Sequence, residues 1–513
     1  LAVAIAGGAA TLWQAARARR EARAAETVNA FLLDLFHASN PERARGEDPP
    51  ASELLRRGAE RAEARLAAEP LLQGQLLHTI GTIQREVGQP AAAERSLARA
   101  LTLRARHLDG VDPALASTRV ELGLTRYELG RVDEAVALMR QALADLERTL
   151  EPGDRRRLDA AVRLGDMLVV QGKFAEARRL EESVLARIGT PSAELAELAY
   201  DAEYTLGVAL GELGETAAAA KTLQRLVDGE RRRSGGLSPD LALYANEYGL
   251  LLHDLGDAAG AERAYREALA IKRRFYGADH NQVSAQLLNL GMALGDQGRK
   301  EEALAMLQES LAINRRVHGD RHPQVAAALE AVGWSLVSQQ RLADARAPFA
   351  EAVAIWRALP PGAADPAMFA NALRNYGGLL VDLGEPALGE PVLRESVERY
   401  ASLEGAEPMR RPLAQARLGE ALVALGRHGD GVELLGPALG ALETSGYGWD
   451  KPGYATLQLA AARGEAALGR HQEAQQRVAA VRSHLDRAEG AAWDRVHASL
   501  ARTAAAMKPE SPP

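Results

Sequence analysis

The side chains best placed for chemistry in this sequence are His318, Asp320 and His322, which alternate as His-x-Asp-x-His. Imidazole nitrogens and a carboxylate are ligands that zinc accepts, and one short loop can present all three. A sister segment 42 residues earlier, Gly277-Ala278-Asp279-His280, keeps the carboxylate and the second imidazole but has no counterpart of His318. A loop repeated for a structural reason accounts for both copies, so neither a metal nor a cofactor is expected. The remaining histidines, His78, His253 and His428 among them, are scattered and never pair as His-Glu-x-x-His. No Gly-x-Ser-x-Gly elbow presents a serine nucleophile, and a cysteine count of zero removes disulfides and thiol chemistry. No catalytic residue is expected in this chain.

What positions these loops is a repeat. Gly88, Gly130, Gly172, Gly214, Gly256 and Gly298 stand 42 residues apart. Gly81, Gly123, Gly165, Gly207, Gly249 and Gly291 run seven residues ahead of them, and Ala93, Ala135, Ala177, Ala219, Ala261 and Ala303 five behind. The register continues with wear: Gln340 replaces a turn glycine while Gly333 and Ala345 stay, and Gly384, Gly426 and Gly469 follow. About ten copies fit between residues 71 and 490, and a fixed period of this size marks a solenoid of two-helix units. In the copy spanning 279–316, Val283, Leu287, Leu290 and Leu294 share one face of a first helix. Gly298 ends that helix, and Ala303, Leu304, Leu307 and Leu311 face inward from a second. Glycine inside a helix costs about 1 kcal/mol relative to alanine, so the recurrence at Gly291 demands close packing, expected against Ala303. Asp279 and Asp320 stand where an N-cap is needed, and Pro323 suits a first helical turn.

These ladders resemble the tetratricopeptide repeat, which has a small residue in its first helix, a turn glycine and an alanine in its second. The 42-residue period, with Gly277-Ala-Asp-His280 and Gly319-Asp-Arg-His-Pro323 between units, resembles the longer variant typified by kinesin light chain. The resemblance implies an all-α fold: a right-handed superhelical solenoid of about ten helix hairpins with an N-terminal helical junction. It also implies a concave groove, lined by the first helices, that takes a peptide or protein. Read by register, three positions before and one after the helix glycine, the groove residues are Tyr204, Asn246, Leu250, Leu288, Met292, Glu330, Trp334 and Arg374. Leu250, Leu288, Met292 and Trp334 would make an apolar centre, and Asn246 is suited to bond a peptide backbone. The competing reading makes Met292 and Trp334 part of the core between repeats.

Composition bounds the partners. Aromatic residues make up only 4%, and a net charge of −7 with a pI near 6.0 argues against a general nucleic-acid binder. Residues 1–13, LAVAIAGGAATLW, are apolar and run into Arg17, Arg19, Arg20 and Arg23. That is short of the roughly 20 residues a bilayer crossing needs. With Trp13 at the switch to charge, residues 1–14 read as the C-terminal half of a membrane helix. Residues 15–70 read as a helical junction, with a stripe of Val28, Phe31, Leu32, Leu35 and Phe36 and a helix over 51–68. The run ETVNAFLLDLFHASNPERARG, followed by ASELLRRGAERAEARL, resembles the junction between membrane helix and repeat array in bacterial serine/threonine protein kinases. The resemblance implies a sensory or docking region behind a kinase domain, anchored to a membrane with the array in the periplasm, although the basic cluster 17–23 pulls the other way. The chain itself has no Gly-rich phosphate loop, H-R-D or D-F-G, so it performs no phosphotransfer. Residues 71–490 are assigned to the array, 491–507 to a capping helix with Trp493, Val496, Leu500 and Ala504 on one face, and 508–513 to a disordered tail. The alternatives are a soluble cytoplasmic peptide-binding regulator and a structural assembly adaptor.

Overall fold

The computed structural model of the protein describes residues 51–108, 112–360, 365–403, 408–485 and 493–507. The expected membrane segment 1–14, the first part of the junction (15–50) and the tail 508–513 lie outside the described residues. Among the described residues there are 22 helices and no strand, and no helix is long and apolar enough to cross a membrane. The chain divides between Gly235 and Gly236 into two compact units.

Unit 1 opens with α1 (Ala51–Arg65), whose last carbonyls, those of Ala62 and Glu63, accept from the buried Gln73 amide at 3.2 and 2.9 Å. Four hairpins follow: α2 (Pro70–Glu86) with α3 (Pro90–His107), α4 (Pro113–Glu128) with α5 (Val132–Thr149), α6 (Arg155–Val170) with α7 (Phe174–Ile188), and α8 (Ala196–Glu212) with α9 (Thr216–Ser234). Unit 2 holds six: α10 (Pro239–Asp254) with α11 (Ala258–Tyr276), α12 (Asn281–Asp296) with α13 (Lys300–His318), α14 (Pro323–Ser338) with α15 (Leu342–Ala358), α16 (Pro366–Asp382) with α17 (Pro386–Ala401), α18 (Arg410–Ala424) with α19 (His428–Thr444), and α20 (Pro452–Ala467) with α21 (His471–Leu485). The last helix, α22 (Asp494–Ala506), lays Val496 and Leu500 on the α20–α21 pair, where Ala474, Val478 and Val481 are buried.

Every hairpin turns in the same way. At Gly298 the backbone enters the left-handed region with φ 76°, and the Arg299 N–H reaches back to the Leu294 carbonyl at 3.0 Å. This closes the end of α12 by satisfying a carbonyl that the helix itself leaves open. Gln340 takes the same left-handed geometry, φ 62°, although its Cβ makes that costly. The bond pattern there is unchanged, with Arg341 N–H on Leu336 O at 2.9 Å, so the neighbouring packing holds the turn against the residue's own preference.

The helix glycine does more than face the ladder alanine. A Cβ on Gly291 would lie 3.3 Å from the Ala303 carbonyl, but only 2.9 Å from the Leu307 side chain. The expected crossing at Gly291 and Ala303 therefore extends to the residue one turn further along the second helix. The same position carries Leu97, Met139, Glu181, Leu223, Tyr265, Leu307, Phe349, Leu393, Leu435 and Val478, all buried. Each fully buried apolar side chain among them contributes roughly 1.5–3 kcal/mol.

The loops between hairpins correct the capping assignment. His280 and His322, and not Asp279 and Asp320, are the N-caps: their Nδ1 atoms accept from the N–H groups of Gln282 and Gln324 at 3.1 and 3.2 Å. The cap must stand directly before the first helical residue, and each aspartate is one or two positions too early. Asp279 instead pairs with Arg316 at 2.5 Å, and Asp320 faces Arg315 at 3.5 Å. Pro323 does open α14.

Candidate partner-binding face

First helices of neighbouring hairpins in unit 2 lie side by side and are joined by polar bonds. The Asn289 amide on α12 donates to Asn246 Oδ1 on α10 at 3.0 Å, and the His253 ring meets Asp296. Two hairpins on, Asn375 Nδ2 on α16 donates to Glu330 Oε2 on α14 at 3.0 Å. These bonds fix the spacing of a row of side chains that the hairpin cores leave uncovered.

Leu250, Met292 and Trp334 occupy the same register on α10, α12 and α14, and they are 38%, 51% and 48% exposed. They are therefore not core between repeats. Trp334 makes a T-shaped contact with Phe349, with centroids 5.7 Å apart and planes at 81°. Such a pair anchors the indole to the protein while leaving much of it exposed. Leu288, one turn before Met292 on α12, is half-buried and packs on the cluster of Leu304, Leu307 and Phe349.

The polar positions behave differently. Asn246 spends its amide inside the array, donating to Glu247 Oε1 at 3.1 Å while its oxygen accepts from Asn289. Glu330, expected on the exposed face, is only 7% exposed. Both carboxylate oxygens are occupied, one by Trp356 Nε1 at 3.3 Å and the other by Asn375. Burial pushes its pKa up to about 6 against the pull of those two donors. The physical reason for the correction is Trp356, whose indole N–H needs an acceptor and draws the carboxylate inward. Arg374 is half-buried and donates to Asn375 Oδ1 at 2.9 Å. Burial lowers its pKa, and the nearby Arg417 and Arg410 add to that. Tyr204 is partly buried on α8 in the other unit.

No three His, Cys, Asp or Glu residues among the described ones are arranged to hold a metal ion. His318 and His322 instead stack ring on ring, centroids 4.2 Å apart and planes 10° from parallel. One residue that sequence reasoning passed over is Glu181, the single charged member of the ladder that packs over the helix glycines. Stepping by 42 from Leu97 and Met139 would have exposed it.

Ten hairpins with a repeated turn and crossing define a helical-repeat protein that presents a row of side chains. Models of the tetratricopeptide repeat match residues 114–188, 240–315 and 282–358 in one form and 78–145 and 204–274 in another. Together they span a little over half of the chain, which belongs to the tetratricopeptide-repeat family. No curated protein matches it. Among solved structures, the apo form of the quorum sensor NprR from B. thuringiensis is similar at 12% identity and a TM-score of 0.50, over 72% of this chain and 97% of that one. A Rap protein complexed with Competence and Sporulation Factor is similar at 15% identity and a TM-score of 0.46, over 76% of this chain and 100% of the other. A putative kinesin light chain with nearly identical TPR-like repeats, from Podosopora anserina, is 20% identical with a TM-score of 0.28, over 50% of this chain and 97% of its own. At such identities the likeness speaks for the fold alone.

Proposed function

We propose that this protein-interaction scaffold binds a peptide or protein segment along the first-helix face of unit 2, with Leu250, Met292 and Trp334 as its apolar contacts. One observation carries the reading: three large apolar side chains stay 38–51% exposed in a single register, where the fold had the option of polar residues. Scattered exposed apolar groups need no explanation, but an aligned row does. Aromatic and methionine side chains are also those enriched where partners dock. The test is to select binders from a displayed peptide library with the native chain. The selected peptides are then titrated against a Leu250→Glu/Met292→Glu/Trp334→Glu variant of unchanged helicity. A drop in affinity of about 30-fold or more, on the order of 2 kcal/mol, is expected. Unchanged affinity would remove this face from consideration.

A narrower reading follows from the resemblance of residues 26–66 to a kinase junction. The array would then be the docking or sensory region of a membrane-anchored bacterial serine/threonine kinase, held on the extracytoplasmic side. The sequence of the gene upstream of Leu1 decides it: a kinase domain and further apolar residues support the reading, and a start codon immediately before Leu1 ends it.

A further inference from the structure

Glu181 stands on α7 where the equivalent position of every other hairpin is apolar. It is fully buried, 0% exposed, and neither carboxylate oxygen has a hydrogen-bond partner. Its Oε1 sits against the bare Cα of Gly165 on α6: a Cβ there would lie 1.7 Å from the oxygen. The carboxyl group therefore fills the space that Leu307 fills over Gly291.

The charged groups around it make matters worse for an anion. From α6, Asp166 contributes negative charge; it is itself bonded to Thr205. From α8, Asp201 adds a second. Arg163 on α6 faces both aspartates, but it lies 3.6 Å from Asp159. On α7 itself, Arg178 is occupied by Glu182 and Glu215 at 2.8 and 2.6 Å. Glu197 on α8 adds to the negative field at Asp201. Among the described residues, no cation offsets this charge at Glu181. An isolated carboxylate in such a place is strongly disfavoured, whereas the neutral acid is tolerated. Burial, with Asp166 and Asp201, pushes the Glu181 pKa up to about 10, and burial pushes Asp201 up to about 6.

We propose that the α6–α7 hairpin is a proton-held joint: Glu181 closes the crossing over Gly165 only as the neutral acid, and loss of its proton opens this hairpin before the others of unit 1. On opening, the carboxylate swings out to water and α7 shifts off α6, a local event separate from global unfolding. The direction is fixed by linkage. A carboxyl whose folded pKa is raised binds a proton that the opened form releases. Closure is therefore fully favoured below the ordinary carboxylate range and weakens as pH rises towards the folded value. The ceiling is about tenfold in the closing equilibrium per pH unit.

The test is amide hydrogen exchange on the full chain at pH 6 and pH 9, each corrected for the intrinsic rate. Protection over residues 155–188 of the native chain is expected to fall by roughly a hundredfold or more, within the thousandfold ceiling for three pH units. Hairpins α4–α5 and α12–α13 should hold theirs. Glu181→Gln should give protection independent of pH, and Glu181→Leu, which restores the ladder residue, should raise protection at pH 9. Constant protection of 155–188 in the native chain overturns the proposal whatever the variants do. So does a Glu181→Gln chain that keeps the native slope, because Asp166 or Asp201 would then be its source.

Discussion

The α6–α7 crossing in unit 1 and the α12–α13 crossing in unit 2 start from the same geometry and end with opposite chemistry. Each has a glycine in its first helix, at Gly165 and Gly291, and each receives a side chain sixteen residues later. In unit 2 that side chain is Leu307, and the contact is dispersion and dehydration. In unit 1 it is Glu181, and the same shape is filled by a group that must keep its proton. The comparison teaches that the glycine specifies a space, while the residue four positions past the ladder alanine decides how conditional its filling is.

The comparison can be broken most severely at the glycine. Gly291→Leu drives a side chain into Leu307 and should cost about 3 kcal/mol, seen as a lower denaturant midpoint with near-native helicity before the transition. A smaller effect of opposite sign is expected in unit 1. Glu181→Leu should stabilise by about 2 kcal/mol at pH 8 by replacing an unpartnered polar group with an apolar one. Loss of stability there would mean that the carboxyl has a partner after all. Glu330 supplies a milder, pH-dependent contrast within unit 2. Its folded pKa of about 6 lies above the ordinary 4.5, so its contribution is present below pH 4.5 and is lost as pH rises to 6. The loss should be at most about 2 kcal/mol, and Glu330→Gln should flatten thermal melting over that window. The smallest expected effect is at the irregular turn. Gln340→Gly should stabilise by about 1 kcal/mol by relieving a left-handed non-glycine residue, and a neutral result would show that the Gln340 side chain repays its own strain.

Hairpins, turns and the row of Leu250, Met292 and Trp334 were legible in the sequence because they repeat. A period of 42 residues converts one local pattern into ten observations, and register then assigns a face. Where the reading failed, the deciding factor was a side-chain contact or a helix start that the small-residue ladders do not encode. Glu330 turns inward because Trp356, on the next helix, offers an indole N–H. The aspartates of the loops lost the N-cap role to His280 and His322 by one or two positions, a margin that depends on where the helix begins. Asn246 looked available until Asn289, on the neighbouring first helix, took its oxygen. Glu181 was legible in principle, but only along a ladder that the small residues do not mark.

The uniform turn has a consequence for how such a chain can change. Each crossing is sealed inside its own hairpin, and each turn closes on its own helix, as Arg299 does on Leu294. What joins one hairpin to the next is a shared apolar core, as where Tyr265 and Leu269 are buried in one cluster with Val283 and Leu287, together with bonds such as Lys272 Nζ to Gln286 Oε1 at 2.9 Å and the Asn314 amide to the Gln324 carbonyl at 3.3 Å. A whole hairpin can thus be duplicated, deleted or transplanted where its apolar faces and boundary pairs match those of its neighbours, whereas the insertion of a single residue inside a helix would rotate the side chains beyond it in that helix off the row. The length of the row is therefore an adjustable quantity, counted in hairpins.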